Sequence, residues 1–309
     1  MAYNRLEYLK QSIASLMKSD FPRKTVPLIV SVDGHIEDVL QYLDTLQTEF
    51  PMLQVWIHPY ACADHHSEFP MKVTTPDLGD SYGNPRTPEI TCCKHHFTWL
   101  LQESFNSETL NKYDTFLFLE EDYIVAPTVY ETIQQGMNAM AEYSVETPFL
   151  GVALDPTNGG IAQEPDFLPD HLFYAHAFQT GPMTMHRAIY QSIVRAASEY
   201  CTMDESNWDW TLVQLTLQES LPHTMLFPSR SQVRHIGLEN GMHEHILMET
   251  PTAPLSAFHA TAVYGPVRVN HTVRPKQVSG GWGHKMDHEH CLQILSLPRS
   301  NKNVSIRTE

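Results

Sequence analysis

The apolar run Phe116-Leu117-Phe118-Leu119 ends on Glu120, Glu121 and Asp122. Three adjacent carboxylates repel one another unless a cation lies among them. An apolar stretch of this length, bounded by polar residues, suits a strand covered on both faces. Open α/β sheets bind their ligands beyond the carboxyl ends of such strands, so these acids stand where a metal and a phosphate would be held together. The pattern fits equally an ordinary strand exit whose acids are solvated, or which assist a helix beginning near Pro127.

A second acid, Asp209, stands between two indoles in Asn207-Trp208-Asp209-Trp210. Partial desolvation there would raise its pKa, and a sugar ring would stack on the aromatic faces, which makes Asp209 a candidate base. The alternative is an N-cap acid for a helix over Leu212 to Leu217, with two core tryptophans beside it. Arg234-His235-Ile236-Gly237 and Gly241-Met242-His243-Glu244-His245 supply imidazoles in a glycine-rich segment. Imidazole with carboxylate suits a borderline divalent metal such as manganese; with 18 histidines in the chain, a hydrogen-bonded or exposed role for any one of them competes with that reading. Lys94-His95-His96 suits contact with a phosphate or base from a helix start, or a solvated helix face. Gly280-Gly281-Trp282-Gly283 reads as a lid over a ligand or as a tight loop.

The elements that must position these groups alternate. Leu6, Leu9, Ile13 and Leu16 recur at helical spacing, and Val26 to Val32 reads as a strand ending at Asp33-Gly34. A second helix over Ile36 to Leu46 precedes a strand over Leu53 to His58. The stretch from Ala61 to Ile90 has no period and reads as a long functional loop. A helix follows over Cys93 to Gln102, another opens at Pro127, and strands are expected at Phe149 to Leu154 and Pro182 to Met185. Such alternation predicts a mostly parallel α/β sheet. The opening on a helix is unusual for this class, because a doubly wound sheet begins with a strand.

At 309 residues with no sharp linker, low-complexity tract or internal repeat, the chain reads as one domain. A net charge of -16 argues against a nucleic-acid partner, which needs a basic stripe. An anionic small substrate would need a divalent cation or a nest of donors to overcome that field. Five cysteines without a CxxC pair make structural zinc a poor reading, and their odd number leaves a thiol unpaired or intermolecular. Sequons at Asn270 and Asn303 permit secretory glycosylation. No apolar run of about 18 residues is present, and the first residues lack the pattern of a signal peptide.

In order along the chain, Tyr3-Asn4-Arg5 with Glu7-Tyr8-Leu9, Glu68-Phe69-Pro70, Asp80-Ser81-Tyr82-Gly83, Lys94-His95-His96, Phe118-Leu119-Glu120-Glu121-Asp122, Asp204, Asn207 to Leu212, Gly241-Met242-His243, Gly280 to Gly283 and Asp287-His288-Glu289 with Cys291 resemble the N-acetylglucosaminyltransferase II family. Acidic triplets occur in many nucleotide-sugar transferases, whereas this succession is specific.

The resemblance implies a GT-A, Rossmann-like fold with a mostly parallel central sheet, as one catalytic domain over 1–309 that begins after the family's membrane anchor, stem and first strand. It implies UDP-GlcNAc as donor, Mn²⁺ as cofactor, and a terminal mannose on the α-1,6 arm of a glycoprotein N-glycan core as acceptor. The linkage would be β-1,2, made with inversion. The implied setting is the lumenal side of the Golgi membrane, reached through an anchor outside this sequence. Carried over by residue, Asp122 and His235 ligate the metal and Asp209 is the general base, taking the proton of the mannose 2-hydroxyl as it attacks. Tyr3, Asn4, Arg5, Asp33, Lys94, His95, His96, Glu120 and Glu121 contact the donor. From the indoles themselves rather than the resemblance, Trp208 and Trp210 either hold the acceptor by stacking or serve in packing. A disulfide between Cys201 and Cys291 is also implied. Two other readings stay open, a metal-dependent hydrolase that uses His243 or His245 and a non-catalytic glycan-binding relative.

Overall fold

The computed structural model describes residues 1–65, 88–143, 148–156, 170–176, 178, 181–202, 208–237, 255–267 and 285–296; for 62–63, 88–91, 210 and 285–287 it describes the backbone alone. The glycine-rich segments around His243, His245 and Gly280 to Gly283, the sequons, and Asp204 and Asn207 lie outside the described residues.

The first half alternates helix and strand, as the periodicities predict. Helix α1 (Leu6–Lys18) leads to β1 (Leu28–Val32), α2 (Glu37–Gln47) and β2 (Leu53–Ile57). Leu9, Ile13 and Leu16 are buried on α1, while Val39, Leu43 and Leu46 are buried on α2, one apolar stripe per helix. Strands β1 and β2 pair in parallel, from Leu28 with Leu53 to Val32 with Ile57. The chain then turns at Gly34, whose φ of +96° and proximity to Ala61 require the absence of a side chain.

Part of the expected loop is helical. A short α3 (Cys62–His65) and the long α4 (Pro88–Asn106) flank the residues outside the description. Helix α4 extends beyond its apolar period because it is covered on more than one side. Phe97, Leu101 and Phe105 are buried on it, and so are Lys94, His95, His96, Thr98 and Gln102. Strand β3 (Thr115–Phe118) carries the apolar run up to the acids, and β4 (Tyr123–Val125) follows them directly.

Helix α5 (Val129–Tyr143) begins two residues after Pro127. Its first amides are satisfied from far along the chain, since the Asp20 carboxylate accepts from Tyr130 N at 2.9 Å and Glu131 N at 2.7 Å. That is a capping bond made in three dimensions rather than in sequence. Then come β5 (Phe149–Val152), β6 (His171–Ala175), β7 (Met183–His186), α6 (Arg187–Arg195), α7 (Ala197–Thr202), α8 (Trp208–Leu217), β8 (Thr224–Pro228), β9 (Val233–His235), β10 (Ala262–Val267) and α9 (Lys285–Ser296).

The α/β class is as expected, but the strands do not form one mostly parallel sheet. Among the described residues they make a four-stranded mixed sheet in the order β10-β6-β8-β5 and three pairs: parallel β1-β2, antiparallel β3-β7 and antiparallel β4-β9. Strands β5 and β8 are buried along their whole length, because helices and neighbouring strands cover both their faces. No described helix is long and apolar enough to cross a membrane.

Two polar devices tie the elements together. A disulfide joins Cys201 of α7 to Cys291 of α9 across 90 residues of sequence, with the Cα atoms 5.6 Å apart; Cys92 is also disulfide-bonded and Cys93 is free. Beneath the carboxyl ends of β1 and β2, Asp33 Oδ1 accepts from His58 Nδ1 at 2.8 Å. The His58 ring stacks on His96 at 5.1 Å, and His96 Nε2 lies 2.6 Å from the Ser31 hydroxyl. All four residues are buried. Burial, then the nearby His58 and the Met1 ammonium, hold the His96 imidazole well below its ordinary value.

Closing a loop of this length restricts the unfolded chain, so replacing Cys201 and Cys291 by serine should lower stability by about 3–5 kcal/mol in urea titrations. For His96 the folded state resists a proton that the unfolded chain accepts near pH about 6.5. Its contribution is therefore complete above that pH and is lost as pH falls towards the depressed folded value. Urea midpoints should fall below pH about 6.5, and His96→Gln should flatten that decline; parallel pH profiles for the two proteins would contradict it.

Candidate functional site

The acids at the end of β3 meet two other segments. Arg5, just before α1, donates from Nε to Glu121 Oε1 at 2.7 Å and pairs through its Nη1 with Asp122 Oδ2 at 2.9 Å. Tyr3 N donates to the other Glu121 oxygen at 2.7 Å. His235, the last residue of β9, places Nε2 3.1 Å from Asp122 Oδ2. The β4-β9 pairing aligns Tyr123 with His235, and just beyond it Ile236 N donates to the Asp122 carbonyl at 2.7 Å. A sheet ladder thus brings together two residues 113 apart in sequence.

Gly237 completes the contact. A Cβ built there would overlap Asp122 Oδ2 and come within 2.9 Å of its Cβ and Cγ. Only a glycine lets the β9 exit lie this close to the carboxylate.

Charge is unevenly compensated. Burial alone would raise the Asp122 carboxyl, but the His235 hydrogen bond and the Arg5 charge outweigh it and hold the group below the usual range. His235 moves in the opposite direction, up, chiefly through its bond to Asp122. Arg5 engages Glu121 and Asp122 and leaves Glu120 with less. Burial, followed by the charges of Asp122 and Asp209, pushes Glu120 up to about 7.

Asp209 lies in the first turn of α8 and is half-buried. Its charge helps raise Glu120, the Tyr123 phenol and the Cys93 thiol, each of which is raised first by burial. The charge of this carboxylate therefore bears on the same acid cluster.

Beside the acids is a recess of about 120 Å³ lined by Ala2, Tyr3, Arg5, Asp33, His96 and Glu120, with the free Cys93 in its wall. Of the residues expected at a donor site, Tyr3, Arg5, Asp33, His96, Glu120 and Glu121 converge on it. Asn4 is exposed. Lys94 is fully buried with its ammonium 5.7 Å from the Tyr200 ring centre, and His95 is buried beside Tyr60 and His290. Trp208 is 4 % exposed and stacks on Phe97 at 4.1 Å, a core contact; the side chain of Trp210 lies outside the described residues.

The donor set suits a divalent cation. Among the described residues Asp122 Oδ1 is buried without a hydrogen-bond partner, a costly state for a carboxylate oxygen that a cation would relieve. An imidazole nitrogen stands beside it, and that mixture of oxygen and nitrogen is one a borderline metal accepts. Among the described residues no three His, Cys, Asp or Glu side chains converge into a ready cage, so these would supply two positions and substrate or water the rest. Ser31, His58, Tyr123 and Gly237 were not identified from sequence. Their signals are a strand serine, a strand-end histidine, an aromatic after the acids and a glycine two residues past a ligand candidate, none of which stands out without the fold.

Comparison with known proteins identifies the family. Over 96% of its length the chain is similar to the alpha-1,6-mannosyl-glycoprotein 2-beta-N-acetylglucosaminyltransferases of Rattus norvegicus, 27% identical over 328 residues and 73% of that protein, and Homo sapiens, 26% identical over 72% of that protein. The Arabidopsis thaliana enzyme of the same name is 24% identical over 333 residues, 74% of its length. The profile of the family N-acetylglucosaminyltransferase II (MGAT2) matches residues 1–291, which include every element of the acid site. The chain belongs to the N-acetylglucosaminyltransferase II family of glycosyltransferases.

Proposed function

We propose that this chain transfers GlcNAc from UDP-GlcNAc, in β-1,2 linkage and with inversion, to the terminal mannose on the α-1,6 arm of a glycoprotein N-glycan, within a GT-A-type catalytic domain. The observation that carries the reading is the meeting of Asp122, His235 and Arg5 at the end of β3 with the Asp209 charge bearing on the same cluster. The relatives' shared name supports the acceptor and the linkage. On the same reading the protein works on the lumenal side of the Golgi membrane, where such glycoproteins are handled.

Asp122 and His235 are the residues that would hold Mn²⁺. Bound there, the ion supplies a Lewis acid for the negative charge that develops on the departing diphosphate, so no protonated side chain is required on that side. Arg5 holds Glu121 and Asp122 in place from the other direction. Tyr3, Asp33 and His96 form the wall against which the nucleotide would rest. Asp209 takes the proton from the mannose 2-hydroxyl as that oxygen attacks the anomeric carbon; a carboxylate at hydrogen-bonding distance is all that step needs. Trp208 supports this base through its stack on Phe97 rather than by touching sugar.

Asp209→Asn should bind UDP in the presence of Mn²⁺ as the parent does and lose transfer by about 10²–10⁴-fold. Transfer at the parental rate would remove the base assignment. Gly237→Ala should push the Asp122 carboxylate aside and weaken Mn²⁺-dependent UDP binding by about 10-fold or more in calorimetry, with the circular dichroism spectrum unchanged. Unaltered affinity in that variant would mean that Asp122 does not hold the metal.

A further inference from the structure

One buried ring stands behind two residues of the recess wall at once. His58 directly follows β2, where its N–H donates to the Val32 carbonyl at 2.9 Å and continues the β1-β2 ladder by one residue. The sheet thereby fixes the backbone that carries the ring. From Nδ1 the ring donates to Asp33 Oδ1 at 2.8 Å. Its flat face lies on His96, with the centroids 5.1 Å apart and the planes 14° from parallel, and the Trp99 ring stands 5.2 Å away. Asp33 and His96 line the recess, whereas His58 is 1 % exposed and lies behind them.

The pair is a poor device for stability. A buried carboxylate with an ionisable partner seldom stabilises a fold more than apolar side chains of the same volume would, and this carboxylate is set in the wall of a recess rather than in an apolar core. A carboxylate has about four acceptor sites, so one bond from behind turns the group without exhausting it. His96 is anchored in the same way, with Nε2 2.6 Å from the Ser31 hydroxyl and its face on His58.

We infer that His58 is a positioning residue for the nucleoside end of the donor. By holding the Asp33 carboxylate and the His96 ring in one geometry, it presents an acceptor beside a flat face, the combination that receives an N–H or hydroxyl of a nucleoside. On the nucleotide-sugar reading above, on which this inference rests, the acids and their metal take the diphosphate, while Asp33 and His96 take the nucleoside. His58 acts through those two residues and touches no ligand itself.

The test is calorimetry with UDP and, separately, with inorganic pyrophosphate, both in the presence of Mn²⁺. His58→Leu keeps much of the ring's volume and removes its donor. It should weaken UDP binding by about 10-fold or more and leave pyrophosphate binding within about 2-fold of the parent. His58→Asn, whose amide N–H falls close to the place of Nδ1, should recover most of the UDP affinity. Parental UDP affinity in His58→Leu, or an Asn variant no better than the Leu variant, would overturn the inference. So would an equal fall for UDP and pyrophosphate, which marks general damage to the site. Should His58→Leu fail to fold, the parent supplies a second measurement: its His58 ring resonances, assigned by their loss in His58→Asn, should move on adding UDP with Mn²⁺ and stay in place with pyrophosphate and Mn²⁺. Unmoved resonances overturn the inference. Titration with ADP and GDP separates this inference from the choice of donor. A parent that takes one of those instead of UDP loses the UDP reading, and the His58 effect should then appear on the nucleotide that binds; a parent that takes no nucleoside diphosphate overturns both.

Discussion

Everything at the site depends on one carboxylate oxygen. Asp122 Oδ2 is shared by Arg5 and His235, at 2.9 and 3.1 Å, while the backbone carbonyl of the same residue is tied to Ile236. Those contacts join the start of α1, the turn between β3 and β4 and the end of β9, three places far apart in sequence. The arrangement is electrostatically economical on one side only. One guanidinium pairs with two of the three acids and offsets a single charge, while burial and the charges of Asp122 and Asp209 push Glu120 up to about 7. The other Asp122 oxygen has no hydrogen-bond partner among the described residues. A cluster left so unevenly matched in a family glycosyltransferase is better understood as prepared for a ligand than as a device for stability, since buried ion pairs seldom stabilise a fold more than apolar packing does.

The parts legible in the sequence were those governed by short-range periodicity. The apolar run at 116–119 became a strand over 115–118, and the stripes on α1 and α2 became buried faces. The order in which the motifs occur identified the family. What stayed hidden depends on contacts between distant residues. Arg5 reaches Glu121 across 116 residues, and Asp20 caps a helix that begins more than a hundred residues later. No local pattern announces either. Lys94 and His95 illustrate the opposite difficulty. Their residue types suggest a ligand, but α4 is enclosed on several sides, so positions that would be solvated on an ordinary amphipathic helix turn inward here. Trp208 likewise looked like a sugar platform and packs on Phe97 instead.

The sheet arrangement differs from the expected single sheet because, among the strands of the described residues, β1 pairs only with β2 and β3 only with β7. Strands β1 and β3 both line one apolar cavity without bonding to each other. At the site end Met1 and Ala2 join the two sides, through the Leu119 carbonyl on one and Ser31 and Asp33 on the other. Site geometry and backbone pairing are thus one problem, because the same two residues tie the segment before the acids to β1.

This coupling bears on how a metal ion and a nucleotide would act on the protein. Anything that binds the folded state and not the unfolded one stabilises it by mass action. At the acid site such a ligand would meet Asp33 and His96 on the β1 side and Glu120 and Glu121 on the β3 side. Its contribution would be largely ionic and would weaken with salt, whereas the apolar packing around it would not, so the ligand's effect on the rigidity of this fold should be largest at low ionic strength.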